Sequence, residues 1–165
     1  FVVARNLDLS DEVTQTLSKH LVMAYVGVRE SSGGLLESQN HAIGLDRSRI
    51  TESLKRSRAQ GQEFANRLLK WEADTTWIPN MLNDQHIERE IRFPDSIPPR
   101  AVKIREYGFK IGATGAKLMG AGGGGFVLFW ADNPDDFLLG MESSGARMFR
   151  LTIDSSTPGL RVYQA

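Results

Sequence analysis

Residues 112–130, GATGAKLMGAGGGGFVLFW, place four consecutive glycines directly before five apolar residues. Glycine loses more backbone freedom on folding than any other residue, so such a run is costly to order. A two-residue hairpin turn requires only one or two residues with positive φ. The surplus indicates that the backbone passes very close to a ligand or to another loop, and successive N–H groups can also form an anion-binding concavity. The stretch therefore favours a functional loop over a purely structural one.

Two nucleotide-binding motifs are excluded by their context. Gly120, Gly122 and Gly125 match G-x-G-x-x-G, but the dinucleotide fingerprint requires a helix after the glycines, and the next residues are typical of a strand. Lys117 is followed by Leu118, so the hydroxyl residue of a P-loop, which holds Mg²⁺, is missing.

The pattern of apolar residues predicts an α+β fold with a mostly antiparallel sheet and helices packed on one side. The predicted strands cover residues 1–7, 21–27, 126–130, 147–153 and 160–163. The predicted helices cover a segment from Ser10 onward, 31–39, 50–71, 75–91, 99–107 and 133–145.

Several local signals place these elements. Ser10 is a helix cap followed by two acids, and Gly108 is typical of a helix C-terminus. An apolar stripe predicts the buried face of the longest helix; it comprises Ile50, Leu54, Gly61, Phe64, Ala65, Leu68 and Trp71. Asn133, Pro134, Asp135 and Asp136 read as a cap, a first-turn proline and two acids, and Gly145 ends that helix.

Composition excludes several classes of function. Twenty basic residues balance twenty acidic ones, which gives no argument for nucleic acid or an anionic membrane as partner. The chain has no cysteine, so disulfides and thiolate chemistry are excluded. No apolar run has membrane-spanning length and no signal peptide is visible, so we expect a cytoplasmic protein. Because the chain begins with Phe1 in a strand-like segment, we expect a preceding segment in the gene product.

The remaining polar clusters favour structural roles. His20, His41 and His86 lack metal-ligand spacing and are interpreted as surface or capping residues. Trp71 and Trp77 are interpreted as core residues, and the basic residues 55–58 as a solvated helix face.

Residues 112–126 closely resemble the third motif of the GHMP kinases, the superfamily of galactokinase, homoserine kinase and mevalonate kinase. The motif is most similar to that of the branch that phosphorylates D-glycero-D-manno-heptose 7-phosphate. In that branch it reads glycine-alanine-x-glycine, then a small residue, lysine, leucine and any residue, then glycine-alanine, four glycines and phenylalanine. The matching residues are Gly112, Ala113, Gly115, Ala116, Lys117, Leu118, Gly120, Ala121, Gly122, Gly123, Gly124, Gly125 and Phe126.

Two further stretches resemble the same superfamily. Residues 21–39 are similar to its strand–turn–helix, with matches at Gly27, Arg29, Ser31, Ser32, Leu36 and Gln39. Many relatives have threonine where this chain has Val26, so a hydroxyl contact there is lost. Residues 151–164 are similar to the final hairpin.

The resemblance implies that residues 1–165 form one domain, the C-terminal lobe of a two-lobed kinase. It also implies a ferredoxin-like form for the antiparallel sheet. In this superfamily the N-terminal lobe carries the serine-rich loop that wraps the ATP phosphates, the magnesium ligands and, in many members, a catalytic aspartate. No such loop occurs in this sequence. The resemblance therefore implies no catalytic or metal-ligating residue in this chain, and ATP and Mg²⁺ only in the complete enzyme.

The same resemblance implies the site residues. Gly120, Ala121, Gly122, Gly123, Gly124 and Gly125 would line the active cleft beside the missing lobe. Lys117 would contact a substrate phosphate or a carboxylate of the other lobe, and its alternative is a solvated strand-edge lysine. Arg29 would bind a sugar phosphate through its planar guanidinium, and its alternative is a surface salt bridge.

The sequence thus predicts part of an ATP-dependent sugar kinase, a phosphotransferase to a hydroxyl group with a sugar phosphate as substrate. The fragment alone is expected to be inactive. The alternative is a stand-alone, non-catalytic module that binds a sugar phosphate or a protein. A lobe severed from its partner would expose apolar surface and form homodimers or aggregate.

Overall fold

The computed structural model describes residues 7–28, 37, 39–41, 43–44, 46–72 and 74–153. Helix α1 (Asp11–His20) leads into strand β1 (Leu21–Gly27), and the two long helices α2 (Arg47–Leu69) and α3 (Trp77–Arg92) follow. A short 3-10 helix (Pro94–Ser96) precedes α4 (Pro99–Lys110). Strands β2 (Ala113–Leu118) and β3 (Gly125–Ala131), helix α5 (Pro134–Met141), a 3-10 helix (Glu142–Ser144) and strand β4 (Arg147–Arg150) complete the described fold.

The four strands form one antiparallel sheet in the order β2-β3-β1-β4. The succession β1-α4-β2-β3-α5-β4 with this strand order is the ferredoxin-like arrangement. The predicted α+β class is therefore confirmed.

Each face of the sheet carries its own core. Because side chains alternate along a strand, Val127, Phe129 and Ala131 of β3 pack with α4 and α5, whereas Leu128 and Trp130 pack with α1, α2 and α3. Helices therefore lie on both faces. Helices α4 and α5 form the expected layer on one face of the sheet. Helices α1, α2 and α3 form a second layer on the other face, which was not predicted.

Helix α1 begins as its sequence predicts. The Ser10 side chain accepts a hydrogen bond from the backbone N–H of Val13 at 3.4 Å. Asp11 and Glu12 lie in the first turn, and Lys19 and His20 in the last, which complements the helix dipole at both ends.

Three sequence predictions need correction. Leu54 is 52% exposed, and Ser53 takes the buried position beside it. Gly108 does not end its helix but lies inside α4, where an added Cβ would meet the Phe129 ring at 2.4 Å. Strand β2 was not predicted as a strand, because the glycines and the lysine of its sequence are poor strand formers.

Some predicted elements lie outside the described residues. These are the strand at 1–7 except Leu7, most of the helix at 31–39, and the strand at 160–163. Trp71 and Trp77 pack against the core formed with α1, α2 and α3, as predicted.

Helix α3 lies against strand β2 so closely that Gly115 has no room for a side chain. A Cβ at Gly115 would be 2.4 Å from the Cα of Pro79 and 2.6 Å from its carbonyl oxygen. Both contacts are to the residue Pro79 of α3, whose backbone cannot rotate away. Gly115 therefore sets the distance between the helix and the sheet.

We expect Gly115→Ala to lower the free energy of unfolding by about 1–3 kcal/mol, the usual cost of overpacking. The control is Gly61→Ala within α2, where a Cβ would meet no atom within 4 Å. It should instead stabilise the chain by roughly 0.5–1 kcal/mol. Urea unfolding of both variants measures the difference, and equal stabilities would show that α3 does not depend on Gly115.

Candidate functional site

The glycine loop, defined here as Gly120, Ala121, Gly122, Gly123, Gly124 and Gly125, joins β2 to β3. All five glycines have positive φ, with values of 71°, 105°, 73°, 143° and 92° in chain order. L-residues rarely adopt these angles. The hairpin closes through a 2.8 Å hydrogen bond from the Met119 N–H to the Phe126 carbonyl. The glycine run is therefore required by the conformation of the loop.

The loop packs against the 3-10 helix Pro94–Ser96. The N–H of Gly123 donates to the Ser96 carbonyl at 2.7 Å. A Cβ at Gly122 would be 2.5 Å from that same oxygen. The expectation of a close approach to another loop is thus confirmed at Gly122. Because the Gly123 N–H already donates a hydrogen bond to Ser96, it cannot donate one to a bound anion in this arrangement.

Side chains of α3 form hydrogen bonds with the backbone at the outer edge of β2, in place of a neighbouring strand. The Asn83 amide donates to the Thr114 carbonyl and accepts from the Ala116 N–H, both at 3.0 Å. The Leu118 N–H points to Nδ1 of His86 at 3.4 Å, and the Arg89 guanidinium donates to the Gly120 carbonyl. Exposed strand edges invite pairing with other chains, and α3 covers this edge up to the glycine loop.

His86 is buried, contrary to the expectation of a surface or capping residue, with 3% of its side chain exposed. Its Nδ1 faces the Leu118 N–H, and Nε2 lies 3.4 Å from Glu90. Burial lowers the pKa of His86 to about 4, and the positive charges of Arg105, Arg89 and Lys117 act in the same direction. The imidazole is therefore neutral in the folded protein at pH 7.

The other two histidines differ from His86. His20 stacks on Trp130 with ring centroids 4.9 Å apart, and its Nδ1 lies 2.9 Å from the Ala131 carbonyl. His41 is exposed, as expected. Among the described residues, no group of three or more His, Cys, Asp or Glu side chains is arranged to hold a metal ion.

Lys117 lies on the sheet face that α1, α2 and α3 cover, because it is paired with Leu128 in the ladder between β2 and β3. Its side chain is partly buried. Burial lowers the pKa of Lys117, and the nearby charges of Arg89 and Arg92 lower it further. The Lys117 side chain is thus not fully solvated, although β2 is the edge strand of the sheet. Arg29 lies outside the described residues.

A buried carboxylate between α2 and α3 was not predicted. Glu88 is 5% exposed and pairs with Arg56, whose Nε lies 2.6 Å from Oε1. The Ser53 hydroxyl also donates to Glu88. The hydrogen bond from Arg56 lowers the pKa of Glu88, and Ser53 assists, although burial opposes the shift. Arg56 thus has a definite partner within the predicted solvated face of α2.

The acids near the start of α5 have structural partners. Asp132 accepts from the Trp130 indole N–H at 3.1 Å, Asp135 pairs with Arg150, and Asp136 accepts from Asn133. This agrees with their interpretation as a helix start. No helix among the described residues combines the length and the apolarity needed to cross a membrane.

Comparison with known proteins supports the family resemblance over part of the chain. Residues 73–139 match the sequence profile of a family described as GHMP kinases C terminal. That segment contains α3, α4, β2, the glycine loop and β3. No curated protein matches the sequence.

Solved structures that share the fold include two mevalonate kinases. The L. major mevalonate kinase, solved with R-mevalonate, superposes with a TM-score of 0.68 at 20% identity over 79% of this chain and 41% of that one. Another mevalonate kinase gives a TM-score of 0.59 at 18% identity over 86% of this chain and 42% of that one. The chain thus spans less than half the length of these kinases.

A matched pair of loop variants tests the contact with Ser96. We expect both Gly122→Ala and Gly125→Ala to destabilise the chain by roughly 1–2 kcal/mol each, because both require positive φ. Gly122→Ala should cost more, since its Cβ meets Ser96 whereas a Cβ at Gly125 meets nothing within 4 Å. Thermal unfolding measures both. An equal loss would mean that the contact with Ser96 does not restrict the loop.

His86 also predicts how stability changes with pH. Because its pKa in the folded chain is about 4, against 6.5 for the free side chain, the unfolded chain binds a proton between these values that the folded chain does not. Stability should therefore fall as the pH decreases from 6.5 to 4. His86→Asn should flatten this slope in urea unfolding, whereas His41→Asn should not. An unchanged slope in His86→Asn would contradict the assignment.

Proposed function

We propose that this chain is the C-terminal lobe of an ATP-dependent kinase of the GHMP superfamily. The observation that carries the proposal is the match of residues 73–139 to the C-terminal profile of that family. The fold shared with mevalonate kinases over less than half their length supports a lobe of a larger enzyme. In this proposal ATP and Mg²⁺ are held mainly by the N-terminal lobe.

The proposed acceptor is a sugar phosphate, D-glycero-D-manno-heptose 7-phosphate, phosphorylated at its anomeric hydroxyl. The support for this acceptor is the form of the glycine motif in the sequence. We propose that the glycine loop lines the cleft between the lobes, where its lack of side chains lets a second backbone or a substrate approach. Arg29 is proposed to meet the sugar phosphate through its guanidinium.

The described contacts suit a positioning role for the loop. Phosphoryl transfer depends mainly on positioning and on stabilising negative charge. The loop is fixed by Ser96 on one side and by Arg89 at the Gly120 carbonyl on the other. Lys117 and Arg89 are proposed to supply positive charge next to the glycine loop. Because the Lys117 side chain lies on the face of the sheet, it would act on the loop by long-range electrostatic attraction and not by direct contact.

The proposal predicts that the complete gene product transfers phosphate from ATP to the heptose phosphate, whereas residues 1–165 alone do not. In the complete enzyme, Gly122→Ala should lower kcat/KM at least about tenfold, since a 1.4 kcal/mol loss of transition-state stabilisation has this effect. Gly44→Ala, at an exposed glycine with no atom near its Cβ, is the control.

Each outcome of a coupled ADP-release assay is informative. Turnover with mevalonate but not with the heptose phosphate would overturn the sugar acceptor and keep the kinase. No ATP consumption with any hydroxyl acceptor would overturn the kinase and favour a non-catalytic binding module. Turnover by residues 1–165 alone would contradict the need for a second lobe.

A further inference from the structure

A cavity of about 400 Å³ opens on the sheet face that carries Lys117. Its walls are mainly apolar and come from α1, α2, α3 and the sheet, with Leu17, Phe64, Ile78 and Leu128 among them. This volume falls within the usual range for a small-molecule site. Of the described residues that line it, Lys117 alone carries a formal charge.

The two glutamines that line the cavity, Gln60 and Gln85, have hydrogen-bond partners. Gln85 donates to the Gln60 side chain at 2.6 Å and to the Ser57 carbonyl at 3.2 Å. Within the described part of the chain, the Lys117 amine has no hydrogen bond and no carboxylate partner. The charges that act on it most strongly are those of Arg89 and Arg92, which are also positive. A partly buried amine in this position lacks a neutralising anion.

The two arginines are engaged elsewhere. Arg89 donates to the Gly120 carbonyl, and Arg92 donates to the hydroxyls of Ser53 and Ser57. A ligand in the cavity therefore meets one available cationic donor. This suits a single carboxylate better than a phosphate dianion, which calls for several donors.

Gly61 provides an independent observation. It lies inside helix α2 and lines the cavity. Glycine in a helix interior costs roughly 1 kcal/mol relative to alanine. Yet a Cβ at Gly61 would meet no atom within 4 Å, and its φ is not positive. Neither packing nor backbone conformation requires this glycine, but a side chain there would narrow the cavity.

We propose that this cavity binds an aliphatic carboxylate, whose carboxylate pairs with Lys117 and whose hydrocarbon chain lies against Phe64 and Leu128. The site requires neither ATP nor another lobe, so it goes beyond the proposed kinase function. A medium-length chain matches the size of the cavity and its apolar walls.

Isothermal titration of the 165-residue chain with sodium octanoate and with 1-octanol tests the proposal. Octanoate should bind more tightly than octanol. Lys117→Met keeps an unbranched apolar side chain, and it should weaken octanoate binding at least about tenfold while changing octanol binding less than about twofold. Lys103→Met, at an exposed lysine of α4, should change neither.

Gly61→Phe provides a second test that does not depend on charge. It should abolish the binding of both ligands and retain the circular dichroism spectrum, because the new Cβ meets no atom within 4 Å and helix propensity rises. Octanoate binding that survives either variant would overturn the proposal. Absence of octanoate binding to the unmodified chain would also overturn it, and would point to other parts of the chain as the occupant.

Discussion

The contact between helix α3 and the edge of strand β2 is the interaction on which the rest of this fold depends. Gly115 lets the helix approach to van der Waals distance at Pro79. One turn further on, Asn83 pairs with two backbone groups of β2. The strand thereby has hydrogen-bonding partners on both sides although it is the last of the sheet. A helix that was displaced here would leave buried backbone groups without partners.

The glycine loop takes its position from the same contact. Arg89 stands about three turns beyond Pro79 on α3 and reaches the Gly120 carbonyl. The chain then leaves α3 and forms the 3-10 helix, whose Ser96 carbonyl accepts from Gly123. These two contacts of the loop therefore come from one continuous segment, and a third comes from Gln39, whose side-chain amide donates to the Ala121 carbonyl at 3.4 Å. A loop held in this way pays little ordering entropy when something binds beside it, which is the physical meaning of preorganisation.

The sequence predicted those features that depend on local chemistry. Ser10, Pro134 and Gly145 mark helix ends through caps and fixed dihedral angles, and the structure places helix ends there. The strands β1 and β3 were predicted correctly because a strand that is buried on both faces has a continuous run of apolar residues. In the same way, the glycine surplus correctly indicated a close approach of backbones.

What the sequence could not predict depends on partners distant in the chain. Strand β2 exists because α3 and β3 supply its hydrogen bonds, while its own residues favour no strand. His86 and Glu88 are polar residues of an ordinary amphipathic helix, and they are buried because β2 and α2 cover them. Lys117 belongs to the same group. Its place in the motif indicated a function, but only strand pairing with Leu128 determines which face of the sheet it occupies.

Glu88 on α3 is buried and Lys117 on β2 is partly buried, and the fold compensates the charge of only one of them. Glu88 receives hydrogen bonds from Arg56 and Ser53, so its negative charge is compensated between two helices of the same chain. Lys117 faces apolar walls with further cations nearby. A fold stabilised only from within would avoid this second arrangement, because an uncompensated amine disfavours burial. The uncompensated positive charge therefore lies at Lys117 on strand β2, three residues before Gly120. This is the charge that the proposed carboxylate ligand would neutralise.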